Sequence, residues 1–229
     1  MKQFTLLLAL LVSLSAMAQK SVVLDKLKEY QFSEGLLTEN LKDADAQYYF
    51  NLKTTTVETD KTKIEDGEFD PTRPIGQRWK LLSVDGNTPS KKEVKKYNKA
   101  HNTTQNDVNG QLDDNAWKIE QDDANTLVIS FKYDKSTLPK KYAFLGDCKG
   151  MAFFNKSTKK LEKAEFVNVG DLKIKIFNVT NLDMVVYYSP DDELAGLIEK
   201  EELLMNVKLL GEIVEIKEIN EYSNYKRIN

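Results

Sequence analysis

Residues 151–167, MAFFNKSTKKLEKAEFV, read as two strands about a turn: Met151 and Phe153 alternate with their neighbours, Asn155-Lys156-Ser157-Thr158 is a polar turn, and Leu161 to Val167 runs back. The same period of two continues on both sides. Upstream, Leu127, Ile129, Phe131 and Tyr133 alternate; downstream, Leu172, Ile174 and Ile176 alternate with lysines, and Leu182, Met184, Val186 and Tyr188 follow. Leu203 to Ile219 is long and strand-like, with Gly211 expected as a bulge where the alternation changes phase. Strands with one apolar and one polar face suit an antiparallel sheet covered on one side. One interruption is expected, where Pro190-Asp191-Asp192-Glu193 opens a short helix carrying Leu194, Leu197 and Ile198.

The N-terminal half is more mixed. Val23, Leu24 and Leu27 fall at helical spacing within residues 21–44, with Gly35 as a break before a second short stretch, Leu36 to Lys42. Tyr48, Phe50 and Leu52 then alternate, and Thr54 to Val57 continues with strand-suited residues. Asp66-Gly67 is a turn signal, with Glu68-Phe69 opening the next segment. Pro71 and Pro74 make Asp70 to Gly76 irregular, since proline supplies no ladder donor. Trp79 to Val84 is a short strand closed by Asp85-Gly86. Ser90 and Glu93 have capping-box spacing, so a helix starts there, with Val94 and Tyr97 as its apolar edge and lysines at 91, 92, 95, 96 and 99. A polar loop follows to about Asn115. No repeat or low-complexity tract divides the chain, which reads as one domain over residues 19–229.

Residues 1–18, MKQFTLLLALLVSLSAMA, read as a secretory signal peptide: Lys2, an apolar run from Phe4 to Leu14, and Ala16-Met17-Ala18 as the small-x-small cleavage pattern before Gln19. The run is shorter than the roughly 20 residues a membrane span needs, and no cysteine near the cleavage point offers a lipid attachment. The expectation is an exported protein, periplasmic or secreted, without a lipid anchor or transmembrane segment. Removing the leader moves the formal net charge from −3 to −4, because Lys2 is its sole charge. That mild acidity argues against a nucleic-acid partner.

The chain has one His and one Cys, His101 and Cys148. An intramolecular disulfide is therefore excluded, as is a zinc site of several His or Cys ligands. A Ser-His-Asp or Cys-His arrangement would have to use His101, which sits in a polar run read as a surface loop. No cofactor or metal is expected. The acidic pairs Asp113-Asp114 and Asp122-Asp123 read as solvated turns. Paired carboxylates can also hydrolyse glycosides, but no pair stands out among the 36 acidic residues.

The order of elements resembles the LolA-like superfamily, which includes periplasmic lipoprotein carriers and related lipid-binding exported proteins. Gly150 to Leu161 resembles that fold's strand-turn-strand with its D-x-x-T-x-x-L turn, Asn155 standing where Asp is commoner. Glu221-Tyr222-Ser223-Asn224-Tyr225-Lys226-Arg227 is similar to the strand that closes those sheets. A third stretch, Phe69-Asp70-Pro71 through Gly76 to Gly86 and Pro89, looks like a signature of an uncharacterised exported bacterial branch and is absent from the carriers. The resemblance implies an α+β fold, a strongly curved antiparallel β-sheet forming an unclosed half-barrel with short helices covering the concave face. In that family the concave side can hold acyl chains. No carrier site residue is carried over.

On this view an apolar cavity would be lined by Tyr48, Phe50 and Leu52, by Trp79 and Leu81, by Leu127, Ile129 and Phe131, by Met151 and Phe153, by Ile174 and Ile176, and by Met184 and Val186. The same residues pack equally well as a filled core. Arg78, with Asp70 and Arg73, either holds an anionic headgroup at the mouth or pins the proline-rich crossover. The lysine-rich helix either touches anionic lipid or is a solvated face. Together these readings favour a non-enzymatic binder of lipid or another apolar ligand in the cell envelope. The alternatives are an interaction or regulatory module with a filled core and an envelope protein partner, or a carboxylate-based hydrolase.

Overall fold

A computed structural model of the chain describes residues 19–33, 47–59, 61–101, 110–174, 177–209 and 211–228. The leader, the helical stretch expected at 36–42 and Ile176 lie outside the described residues. Eleven strands form one sheet: β1 (Tyr48–Glu58), β2 (Lys61–Phe69), β3 (Trp79–Val84), β4 (Lys118–Asp122), β5 (Thr126–Phe131), β6 (Cys148–Asn155), β7 (Lys160–Asn168), β8 (Leu172–Ile174), β9 (Phe177–Tyr188), β10 (Ile198–Leu209) and β11 (Glu212–Arg227). Their order is β3-β2-β1-β11-β10-β9-β7-β6-β5-β4, with β8 paired to β9 off this path. Every pair is antiparallel. β3 and β4 are free edges, so the curved sheet stays open as a half-barrel. Helix α1 occupies residues 19–29 and α2 spans Lys91–His101. A 3-10 helix, Lys140–Asp147, lies between β5 and β6. Among the described residues no helix is long and apolar enough to cross a membrane.

Both helices cover the same face. Residues paired directly across antiparallel strands point to one side, and the pairs Trp79–Phe69–Phe50 at one end and Ile129–Ala152–Ala164–Val186 at the other lie on the helix-covered, concave side. α1 places Val23 and Leu27 one helical turn apart against Leu127, Ile129, Ala152, Phe154 and Ala164. Phe32, just past the helix, packs on Phe154 with ring centroids 4.8 Å apart. α2 packs Tyr97 and Val94 onto Leu81, Val84 and Trp79. Its capping box forms as the spacing dictates: the Ser90 N–H donates to Glu93 Oε2 at 2.7 Å and the Glu93 N–H to Ser90 Oγ at 3.4 Å. The 3-10 helix brings Phe144 to a smaller cluster of Cys148, Leu172, Val179, Leu182 and Val207.

Four local expectations are corrected. Asp66-Gly67 is not a turn but the interior of β2; the turn falls two residues after Val57, where Glu58 opposes Lys61 and Thr59 has φ 54°. Gly67 serves packing: a Cβ there would lie 2.0 Å from the Tyr97 hydroxyl oxygen. Residues 190–197 form turns rather than a helix. Asp191 Oδ1 accepts the Glu193 N–H at 2.9 Å, the Ser189 N–H donates to the Leu197 carbonyl at 2.8 Å, and Gly196 takes φ 85°. Gly211 is a hairpin turn, not a bulge, because Leu209 opposes Glu212 and Gly211 has φ 95°.

The fourth correction is one of phase. Ile129 opposes Ala152 and Leu127 opposes Phe154, so Met151 and Phe153 point to the outer face. Small residues are needed inside β6: a Cβ on Gly150 would meet the Phe131 ring at 2.5 Å, and Ala152 and Ala164, paired across β6 and β7, leave room under α1. Phe153 instead lies beneath the Lys163 ammonium, 4.2 Å from its ring centroid.

Candidate functional site

The concave face has three zones. Under α1, Leu127, Ile129, Ala152 and Phe154 are 0% exposed and Trp117 is 1% exposed; Phe131 and Val186 are buried with them. Polar groups secure this end: Asp122 accepts the Tyr30 hydroxyl at 3.0 Å, lies 3.4 Å from the Lys26 ammonium and pairs with Lys156. Those hydrogen bonds, the one from Lys156 foremost, hold the Asp122 carboxyl below its usual range. Asp122 is thus a latch on α1 rather than a solvated turn residue.

Under α2, Phe50 stacks on Phe69 at 4.9 Å and meets Trp79 edge-on at 5.5 Å. Leu52 and Leu81 are buried beside them, and half-buried Tyr48 meets Tyr225 at 6.0 Å. His101 is the last residue of α2, not a loop residue, and stacks on Tyr97 at 4.1 Å with Trp79 5.0 Å away. Burial lowers the His101 pKa, with Glu65 acting against it. The Tyr97 hydroxyl is buried over Gly67 without a hydrogen-bond partner among the described residues.

Between these ends, β2, β1, β11, β10 and β9 present a different floor. Thr54 opposes both Glu65 and Asn220, and Asn220 opposes Glu201, so the four point into the concavity, as does Glu218 two residues before Asn220. Asn220 Nδ2 donates to Glu201 Oε2 and to Glu218 Oε1, both at 3.3 Å. The Tyr222 hydroxyl also donates to Glu201 Oε2, at 2.8 Å, and Thr54 Oγ1 donates to Asn220 Oδ1 at 2.7 Å. Burial raises the Glu218 pKa, and the Glu201 and Glu65 carboxylates push it the same way against the Asn220 hydrogen bond. Next to this polar group stand Met184, Leu203, Met205 and Ile216, which pack against the cluster around Cys148 and remain only half-buried. The arrangement offers a strip of apolar surface ending in carboxylate acceptors. It suits an apolar ligand carrying a hydrogen-bond donor.

Of the residues expected to line a cavity, Met184 alone lies on this open floor. Ile174 packs, as Met184 does, against the cluster around Cys148, and burial pushes that thiol up to about 11, the range of an inert structural cysteine. Asp70, Arg73 and Arg78 come together in the β2–β3 crossover. Arg73 Nη2 donates to Glu68 Oε1 and Arg73 Nε reaches Asp70 Oδ2, both at 3.0 Å, while Arg78 Nε donates to the Arg73 carbonyl at 3.4 Å. Asp70 also accepts the Thr72 N–H and hydroxyl at 3.0 and 2.6 Å. These contacts are those of loop pinning.

Glu201, Glu218 and Asn220, of the polar floor residues, had a sequence signal of their own. These three are polar yet stand on the apolar phase of their strand: Glu201 is in step with Leu203, Met205 and Val207, and Glu218 and Asn220 are in step with Val214 and Ile216, whereas Glu65 shares its phase with Lys61 and Lys63 and carries no such signal. On the outer face a groove of about 680 Å³ runs along a cross-strand row of Lys53, Glu221, Lys200 and Tyr187, with Lys53 and Glu221 paired at 3.3 Å. Among the described residues no group of His, Cys, Asp and Glu side chains could hold a metal ion.

No protein-family model matches the chain, and no curated protein is similar to it. Among solved structures, a DUF1329 family protein from Desulfovibrio piger ATCC 29098 is similar over 82% of this chain and 88% of the other, at 10% identity and a TM-score of 0.36.

Proposed function

We propose that the protein is an exported, non-enzymatic, LolA-like component of the cell envelope that binds a lipid or another apolar ligand on the concave face. The observation that supports this reading is the unsealed floor between the helices, where Met184, Leu203, Met205 and Ile216 stay only half-buried beside Glu201, Asn220 and Glu218. An acyl chain laid on that strip gains about 0.8 kcal/mol for each methylene fully removed from water. A hydroxyl or ammonium headgroup would satisfy the free acceptor capacity of the two carboxylates, whereas an anionic headgroup would be repelled. Binding is an equilibrium burial, with the helices at either end framing the strip.

Native mass spectrometry of the protein purified from the envelope, set against its denatured mass, tests the reading. The expected result is a stoichiometric adduct that is lost on denaturation and that organic extraction identifies as apolar. A bare polypeptide mass, with no rise in melting temperature on adding monolauroylglycerol, contradicts it. A carboxylate-based hydrolase is a second reading, favoured by the raised Glu218 pKa beside Glu201. Turnover of a glycoside that Glu218→Gln abolishes would select it.

A further inference from the structure

We propose that the outward face of α2 docks on an anionic phospholipid bilayer. Lys91, Lys92, Lys95, Lys96 and Lys99 are all exposed. With 3.6 residues per turn they span an arc of about 140° on the helix, while Tyr97, Val94 and His101 occupy the far side and face the sheet. The lysine arc therefore looks directly away from β3, on the side toward which the concave face opens. None of the five has an ion-pair or hydrogen-bond partner among the described residues. Lysines on the outer face of the sheet contrast with them: Lys163 pairs with Glu165, Lys200 with Glu202 and Lys118 with Glu120, at 2.6, 2.6 and 2.8 Å.

Within the helix this charge is offset only at Lys99, which stands in the last turn where the dipole favours a cation. Lys91–Lys95, Lys92–Lys96 and Lys95–Lys99 are like-charge pairs at i, i+4, each unfavourable to the helix. Lys91 and Lys92 also stand at the N-terminal end, where the helix dipole disfavours cations. Glu93, the sole acid of α2, lies off the lysine arc and is engaged in the Ser90 cap. A flat anionic surface relieves these penalties at once and matches a row of lysines about 12 Å long. The β2–β3 crossover, whose end at Trp79 contacts the end of α2 at His101, carries a further exposed apolar side chain, Ile75, 67% exposed. A bilayer is favoured over a soluble polyanion because the same side of the molecule holds the open apolar floor.

The test is co-sedimentation of the protein with vesicles of phosphatidylcholine, with and without a one-third share of phosphatidylglycerol, at low and high salt. Binding is expected to the anionic vesicles alone and to be lost at high salt. Each Lys→Gln change on the arc should lower partitioning about five-fold. The variant with all five lysines changed to Gln should melt at a higher temperature than the wild type without vesicles, because like-charge repulsion is relieved, so lost binding cannot be blamed on lost folding. Glu201→Gln with Glu218→Gln should leave vesicle binding unchanged, which separates this surface from the concave ligand site. Equal sedimentation with neutral and anionic vesicles overturns the proposal. So does undiminished binding by the five-lysine variant, or binding to a soluble anionic polysaccharide with none to vesicles.

Discussion

The two parts of the concave face, the end under α1 and the floor between the helices, are made by the same sheet with the same period of two, yet they differ in chemistry and exposure. Under α1 the inward positions of β5–β7 are Leu127, Ile129, Phe154, Ala152 and Ala164, a mix of large and small residues that one helix seals completely. On β10, β11 and β2 the inward positions alternate into Glu201, Glu218, Asn220 and Glu65. A carboxylate cannot be sealed beneath a helix without a matching charge, because desolvation would exceed what a few hydrogen bonds return. The floor therefore stays partly open, and its half-buried methionines and leucine do not contribute to the core as fully as they would if covered. Local departure from the best-packed solution is what a binding surface requires.

Truncating one side chain in each region should separate them most strongly. Phe154→Ala should destabilise the protein by about 3–5 kcal/mol, since it empties space beneath Phe32 and α1. Met205→Ala should fall below the ~2–5 kcal/mol of a buried methionine. Urea denaturation of both variants measures the difference, and equal losses would break the comparison. Next in size is Gly67→Ala, at about 1–3 kcal/mol, because the new methyl group meets the Tyr97 hydroxyl and ring. Paired with Tyr97→Phe, which removes the closest atom, the loss should shrink.

Titration sharpens the contrast further. Burial raises the folded-state pKa of Glu218, so the folded protein holds that proton more tightly than the unfolded chain does. Stability from this group is full below the ordinary glutamate value of about 4.3 and falls as pH rises from there to the raised folded value. Glu218→Gln should abolish that slope and leave the protein more stable than wild type at neutral pH. Glu120, on β4, behaves in the opposite sense. Hydrogen bonds from Lys118, Lys149 and Ser130 lower its pKa to about 2, so its contribution is present above about 4.3 and is lost as pH falls toward 2. Melting temperatures from pH 2 to 8 for Glu218→Gln and Glu120→Gln check both signs. The smallest effect is Tyr97→Phe, which should be neutral or stabilising by up to about 1 kcal/mol, since it deletes a buried hydroxyl without a partner among the described residues.

Much of the fold is legible in the chain because alternation, turn residues and caps each have a local cause. The capping box at Ser90, the Asp85-Gly86 turn and the antiparallel meander from Trp117 follow from neighbouring residues alone. The phase of β6 does not, because Gly150 and Ala152 face inward only to admit Phe131 and α1, partners distant in sequence. Gly67 misleads for the same reason: its lack of a side chain answers to Tyr97, 30 positions later, and not to a turn. Gly211 shifts the alternation as a bulge would, and only the pairing of Leu209 with Glu212 identifies a hairpin. The concave floor was legible in principle, since Glu201 and Glu218 interrupt otherwise apolar phases. Recognising that they meet needs the register of β10 against β11, which no local pattern supplies.

The central claim is that a ligand lies on the floor between the helices, and beyond residue 18 the chain carries three methionines placed to test it. Met184 and Met205 face the concavity, whereas Met151 faces outward. With methyl-13C-methionine protein, titration with monolauroylglycerol should shift the Met184 and Met205 methyl resonances to saturation while the Met151 resonance stays fixed, and laurate should act far more weakly. Shifts confined to Met151, or no saturable shift at either concave methionine, would contradict the claim.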